Sequence, residues 1–195
     1  RILSSAASDV YKRQTQLINS GVQTVDVPVV ELSSLQREWP ADFIGPYTEK
    51  SRWPILVLTS PFAAKCAVEI ADTNPDIARI EWLAIGEGTH KACFEPGVTV
   101  SYCGMSRDSE QLVEYISQNI SNESELYIPR SSKSDKVFTD SLVLQGFRVR
   151  SWTGYENVPM TIEDIAIGQE DVLLISSSSS AKSWACLLYT SDAAD

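Results

Sequence analysis

Ile55-Leu56-Val57-Leu58-Thr59-Ser60-Pro61-Phe62-Ala63-Ala64-Lys65 is an apolar run that ends in two hydroxyl residues and then turns helical, with Pro61 allowed in a helix's first turn. The same pattern returns at Val172-Leu173-Leu174-Ile175-Ser176-Ser177-Ser178-Ser179-Ser180-Ala181-Lys182, at a constant offset of 117 residues. Four apolar positions face four apolar positions, Thr-Ser faces Ser-Ser, and Ala64-Lys65 faces Ala181-Lys182. One strand–turn–helix device used twice predicts a chain with two similar halves.

Between the two copies the pattern alternates. It predicts strands over residues 55–59, 80–85, 98–102, 125–128 and 147–152, with helices over 61–71, 89–94, 106–119 and 134–145. In the third helix, Leu112, Val113, Ile116 and Ile120 form the buried stripe. Five strands alternating with four helices predict a parallel, doubly wound sheet covered on both faces, in a flavodoxin-like strand order. A further strand over residues 22–27 and the one at Val172–Ile175 lie on opposite sides of this block and belong to a second sheet. The expected fold class is therefore α/β, with two flavodoxin-like parallel-sheet domains, one inserted in the other and the outer one truncated.

Both ends stand apart from this pattern. Residues 5–14 (SAASDVYKRQ) can be written TCG GCA GCG TCA GAT GTG TAT AAG AGA CAG. The reverse complement of that DNA, one base out of frame, encodes CLLYTSDAA, the sequence that begins at Cys186. The ends read as one inverted sequencing-library adapter translated twice. The expected organisation is scar at 1–14 and 186–195, outer-domain pieces at 15–30 and 171–185, and a linker at 31–53. The inserted domain is expected at 54–154, followed by a return linker at 155–170. The outer sheet is then expected to hold two strands only, and the piece as given to be inactive.

The formal net charge is −10 and does not change on trimming, because Arg1, Lys12 and Arg13 leave with Asp9, Asp192 and Asp195. That balance argues against a nucleic-acid partner. Cys66, Cys93 and Cys103 lack the close pair spacing of a zinc site or a disulfide framework, and they suit a reducing, cytoplasmic setting. No run approaches the ~18 apolar residues of a membrane span.

Ligands of open parallel sheets bind beyond the C-terminal strand ends. The residues there are Thr59-Ser60, Gly86–Thr89, Cys103-Gly104, Pro129–Ser132 and Tyr155, with Ser176-Ser177 in the outer domain. The set is rich in hydroxyls, glycines and helix starts, and has no carboxylate pair and no cysteine–histidine pair. Such donors suit an anionic ligand. The plain alternatives are that Thr59-Ser60 only caps a helix, that Gly86–Thr89 is only a turn, and that Tyr155 only packs between domains.

The succession LTSPFAA, AIGEGTHKACFEPGV, SRDSEQLVEYI, YIPRSSKSDKVFTDSLVLQGFRV, a tyrosine eight residues after the Gly146-Phe147 turn, and LLISSSSSA resembles the uroporphyrinogen-III synthase family. The resemblance implies two α/β domains on a two-stranded linker with the site in the cleft between them. It implies a monomeric cyclising lyase that needs neither metal nor cofactor and converts hydroxymethylbilane, a linear tetrapyrrole with eight carboxylates, to uroporphyrinogen III. It matches the family's tyrosine, proposed to help the terminal hydroxyl leave as water, to Tyr155. Thr59, Ser60, Gly86, Thr89, Arg130, Ser131, Ser176 and Ser177 are the residues expected to bind substrate. The sequence departs from the family pattern at Asp135, where relatives often carry a basic residue. The competing reading is a non-enzymatic two-domain protein that binds a small anion or senses a tetrapyrrole.

Overall fold

The computed structural model describes residues 2–5, 15–44, 53–93, 98–103, 109–160, 168, 170–175 and 180–185. In chain order its strands are β1 (Ile2–Ser5), β2 (Thr24–Asp26), β3 (Val30–Ser34), β4 (Ile55–Leu58), β5 (Glu81–Ile85), β6 (Thr99–Cys103), β7 (Glu125–Ser131), β8 (Arg148–Pro159) and β9 (Val172–Ile175). The helices are α1 (15–19), α2 (Ala41–Ile44), α3 (Pro61–Thr73), α4 (Pro75–Arg79), α5 (Gly86–Ala92), α6 (Ser109–Asn119), α7 (Val137–Leu144) and α8 (180–185). The chain divides into one unit made of Arg1–Leu32 and Asn157–Asp195 and a second made of Ser33–Glu156.

The second unit is built around β4, whose four residues are all buried. A strand's side chains alternate between faces, so an apolar run of this kind needs cover on both sides. Ile55 and Val57 join Leu83, Leu126 and Ile128 under α6 and α7, where Leu112, Ile116, Phe138 and Leu142 close the layer. Leu56 and Leu58 join Trp82, Ala84 and Tyr127 on the other face, under α3, α4 and α5. The small residues Ala63, Ala64 and Ala67 on the buried side of α3 let that helix lie close to its neighbours. Asn74 caps the C-terminus of α3, and its Oδ1 accepts the Asp76 N–H (3.3 Å), so Asn74-Pro75-Asp76 is a joint from α3 to the short helix α4.

The sheet order is β3-β8-β7-β4-β5-β6, with the β4–β5, β4–β7, β5–β6 and β7–β8 pairs parallel. Counted from β4, the five strands run 3-2-1-4-5, which corrects the flavodoxin-like order 2-1-3-4-5. Both orders use the same strand–helix alternation. Here β4, β5 and β6 step outward one by one, and the return through α6 places β7 on the far side of β4. The two faces of the crossover reversal are thus divided between α3–α5 and α6–α7.

Residues 31–53, expected as a linker with at most one short helix, contribute β3, a 3-10 turn at Gln36–Glu38 and α2. Trp39 and Phe43 sit in the core, 3% and 0% exposed, in ring contact with Trp152 (5.1 and 5.4 Å). β8 also runs beyond the expected strand and takes in Tyr155. Leu35 N–H donates to Gly154 C=O and Met160 N–H to Val29 C=O, the reciprocal spacing of an antiparallel β3–β8 pair.

The first unit holds a parallel sheet in the order β2-β1-β9, with Leu3 in register with Val25 and Leu173. The expectation of two strands is corrected to three. Ile2–Ser5 fills the place between β2 and β9, which would otherwise each present an unpaired edge there. Val27, Val29 and Trp184 form the small core, backed by Val25, Val30 and Leu173. The second copy of the sequence device is again a strand followed by a helix, β9 and α8; residues 176–179 lie outside the described residues.

Phe43 touches the rings of Trp39, Tyr127 and Trp152 within 5.6 Å. Phe43→Ala should therefore cost about 3–5 kcal/mol in urea unfolding, the range of a buried aromatic truncation; a loss below about 1 kcal/mol would place residue 43 outside the core.

Candidate functional site

Thr59 and Ser60 follow β4 in sequence and part company in space. The odd positions Ile55 and Val57 face α6 and α7, and Thr59 continues that face into a cavity of about 320 Å³ lined by Ile85, Ser109, Leu112, Arg130, Ser134, Asp135 and Phe138. The even positions Leu56 and Leu58 face α3, and Ser60 continues that face as the N-cap of α3, accepting Ala63 N–H on Oγ (3.1 Å). The cavity lies at the topological switch point, where β4 and β7 head oppositely ordered halves of the sheet and ligands of open sheets bind. Pairing of β4 with β7 stops at Leu56–Tyr127, two residues before Pro129, which has no N–H for a ladder.

Arg130 reaches this cavity from β7. Its Nη1 donates to Thr139 Oγ1 (3.2 Å), and Thr139, 5% exposed on α7, donates in turn to Lys136 C=O (2.9 Å). Asp135 is exposed at the rim, with Oδ1 accepting Val137 N–H (3.1 Å).

Tyr155 arrives on the opposite face, and a bulge puts it there. Along β8, Val149 packs under α6 and α7 while Trp152 packs against the α3 side. Strict alternation would send Tyr155 to the α6–α7 face. The β7–β8 register runs Pro129–Trp152, Arg130–Thr153, then Ser131–Tyr155, so Gly154 is an extra residue. One inserted residue moves the next side chain across the sheet. Tyr155 thereby joins the α3-side core at 8% exposure, its ring 5.2 Å from Phe62 and its hydroxyl 2.9 Å from Ser60 Oγ. Gly154 is required for close approach: a Cβ there would stand 2.9 Å from Pro129 Cβ and 3.4 Å from Trp39 Nε1. Its carbonyl accepts from Leu35 N–H (3.0 Å) and Trp39 Nε1 (3.4 Å).

Burial pushes the Tyr155 phenol above its usual range, and the Ser60 hydrogen bond offsets part of that rise. The phenol is therefore fully protonated at neutral pH. Ser60 Oγ accepts from Ala63 and keeps one lone pair and one proton, so either hydroxyl can donate in the Ser60–Tyr155 pair, and Ser60 can supply the donor when the phenol gives up its proton. The N-terminus of α3 stands behind this relay, with the polarity that favours a developing phenolate.

The other residues fall as follows. Gly86 opens α5 at φ +72°, a conformation that favours glycine, and Thr89 is buried at 3% exposure on the same helix. Ser131 is half-buried, and its Oγ accepts Lys133 N–H (3.2 Å) in the turn toward α7. Ser176 and Ser177 lie outside the described residues. Burial pushes the Cys93 thiol up to about 11 and raises that of Cys66, which excludes both as thiolates at neutral pH. Among the described residues no group of three or more His, Cys, Asp or Glu side chains is placed to hold a metal ion, and no helix is long and apolar enough to cross a membrane. Sequence reasoning missed Thr139, Gly154 and Trp39. Only Gly154, directly before the tyrosine, left a local signal.

The fold and site define an open α/β protein with an arginine-bearing crevice at its switch point and a buried, relayed phenol across the sheet. A sequence model described as uroporphyrinogen-III synthase HemD matches residues 12–192, and the chain belongs to that family. The matched span overlaps the ends read as adapter at residues 12–14 and 186–192. Among solved structures, uroporphyrinogen-III synthetase from Helicobacter pylori superposes with a TM-score of 0.60 at 15% identity, over 95% of this chain and 77% of that one. A mutant uroporphyrinogen III synthase from the extreme thermophile Thermus thermophilus gives 0.54 at 15% identity, over 82% of this chain. The chain spans 63% of the length of that Thermus structure. At this identity the likenesses speak for the fold. Comparison with individual curated proteins gives no match.

Two outcomes check the site. Ser60→Ala removes a cap worth about 1 kcal/mol, and the loss of its hydrogen bond should raise the Tyr155 pKa further in a spectrophotometric tyrosinate titration; a lowered pKa would exclude the relay. Because the folded pKa lies above the unfolded value of about 10, the folded state holds the extra proton, and this stability is lost as pH rises from about 10 through the folded pKa. Tyr155→Phe should flatten that alkaline fall in urea midpoints. Gly154→Ala forces Pro129 aside and should cost about 1–3 kcal/mol, as overpacking does, and shift the ultraviolet spectrum of Tyr155; a neutral effect in both would dismiss the close approach.

Proposed function

We propose that this chain acts as a uroporphyrinogen-III synthase, cyclising hydroxymethylbilane to uroporphyrinogen III with inversion of the last pyrrole ring. Membership of the family supports the reading, and the observation that carries it is the Ser60–Tyr155 hydroxyl pair at 2.9 Å behind a helix start. In the proposed step the Tyr155 phenol gives its proton to the terminal hydroxyl, the carbon–oxygen bond breaks, and water leaves. The phenolate that remains receives the Ser60 O–H. The freed carbon then bonds to the substituted α-carbon of the last ring, and the bond from that position to its original bridge carbon breaks. The bridge carbon re-bonds at the ring's free α-carbon, the proton carried there is lost, and a proton returns to Tyr155. Thr59 and Arg130 hold a carboxylate of the substrate on the other face, and Ser176-Ser177 is assigned a like role by its match to Thr59-Ser60. No cofactor enters the proposal. We assign the protein to the cytoplasm as a monomer.

Most of the task is orientation. The unassisted bilane closes to the non-inverted isomer, so holding both ends in the inverting geometry supplies the larger share of the effect. The acid contributes the remainder, on the order of 10²–10⁴-fold for a positioned proton donor.

The test generates hydroxymethylbilane in situ with the chain at stoichiometric concentration and resolves the two isomers by chromatography. The chain should slow the appearance of isomer I by holding the bilane, as a piece expected to be inactive in turnover still can, or divert product to isomer III, which would overturn that expectation of inactivity. Isomer I forming at the uncatalysed rate overturns the reading.

A further inference from the structure

We propose that the cavity between β4 and β7 seats one singly charged carboxylate arm, with Thr139 positioning the Arg130 guanidinium and Asp135 turning away a second negative charge. The inference rests on the proposed function only for the identity of the molecule that bears the arm.

Size sets the first limit. An open crevice of about 320 Å³ has room for a short carboxylate arm while the rest of a larger molecule stays outside it. Its lining fits the same group. Ile85, Leu112 and Phe138 offer an apolar wall for methylenes, and Thr59, Ser109 and Ser134 offer hydroxyls beside Arg130.

The hydrogen-bond directions around Thr139 are forced. A guanidinium has no acceptor, so Thr139 Oγ1 must accept from Arg130 Nη1 (3.2 Å). The single hydroxyl proton is then left for Lys136 C=O (2.9 Å), itself the acceptor of Asp140 N–H (2.9 Å) at the start of α7. Thr139 is 5% exposed and cannot swing away. One corner of the fork is fixed to α7, and a fork held in advance loses less freedom when a carboxylate docks on its other N–H groups.

Asp135 supplies the charge limit. Its carboxylate lines the cavity, with Oδ1 tied to Val137 N–H (3.1 Å). A singly charged arm paired with Arg130 meets one like charge at the rim. A dianion keeps an uncompensated charge facing Asp135. The pocket therefore discriminates a carboxylate from a phosphate.

The test uses the 195-residue chain and the monocarboxylate pyrrole-3-propionate, with its primary amide and inorganic phosphate as comparison probes. Binding is read from the Arg130 Nε–H resonance, assigned by its loss in Arg130→Lys. The carboxylate should shift that resonance and the amide should not. Thr139→Val should weaken carboxylate binding about fivefold or more, the scale of a lost hydrogen bond to a charged group, while Thr139→Ser stays within about twofold of the parent. Asp135→Asn should strengthen phosphate more than carboxylate, by about two- to threefold at an exposed rim. If Thr139→Val loses its circular dichroism, Thr139→Ala is read in its place. Unchanged binding in the hydroxyl-free variant, equal loss in Thr139→Ser, equal binding of the amide, or a uniform effect of Asp135→Asn on both anions overturns the proposal. Carboxylate binding at Arg130 with isomer I forming at the uncatalysed rate would leave the seat standing and remove the synthase reading. Diverted or slowed cyclisation that Thr139→Val does not alter would do the reverse.

Discussion

The second unit depends on one extra residue in a parallel pair. Bulges are rare between parallel strands, and this one exists because Gly154 lies against Pro129 closely enough to exclude any Cβ. The insertion changes which face Tyr155 occupies. Without it the phenol would point toward α6 and α7, and Ser60, the cap of α3, would have no partner across the sheet. The same glycine carbonyl accepts from Leu35 N–H and Trp39 Nε1, so β3 and the aromatic cluster hold the bulge in place. Packing that looks remote from the chemistry thus sets the side of the sheet on which it occurs.

The sheet order has a parallel consequence. Placing β7 beside β4 rather than an outward neighbour opens a crevice at their shared C-terminal end, and pairing stops early because Pro129 has no N–H to give. Arg130, one residue on, is released from β4 and reaches Thr139. A single proline therefore limits the β4 ladder and forms the wall against which Gly154 packs. The crevice and the bulge are two results of the same local geometry, one on each face.

Much of this arrangement was legible in the sequence. Ile55–Leu58 announced a strand buried on both faces, the Ser-Pro step announced a helix start, and the repeat at Val172 announced a second sheet. Strand order was not legible, because both winding orders use the same local alternation and differ only in which edge the return strand joins. Trp39 and Phe43 were hidden among prolines and charges, where composition reads as linker; only contact with Trp152 shows them to be core. The bulge was hidden for the same reason, since its cause, Pro129, lies 25 residues from Gly154 in sequence. Thr139 gave no signal at all, because a helical threonine with a packed methyl reads like any other.

Thr59-Ser60 carries two positions that strand geometry separates. Adjacent residues at a strand end face opposite sides, so a dipeptide at the head of a central strand addresses both layers of a doubly wound domain at once. Thr59 belongs with Arg130 and the crevice, and Ser60 belongs with Tyr155 and α3. In the proposed reaction these roles are distinct: one face anchors a carboxylate and the other moves a proton. Joining them through one peptide bond on a strand with four buried residues fixes their separation without any contact between them. For a reaction whose outcome is decided by how a flexible chain is held, a rigid spacing of this kind matters more than an additional acid or base would.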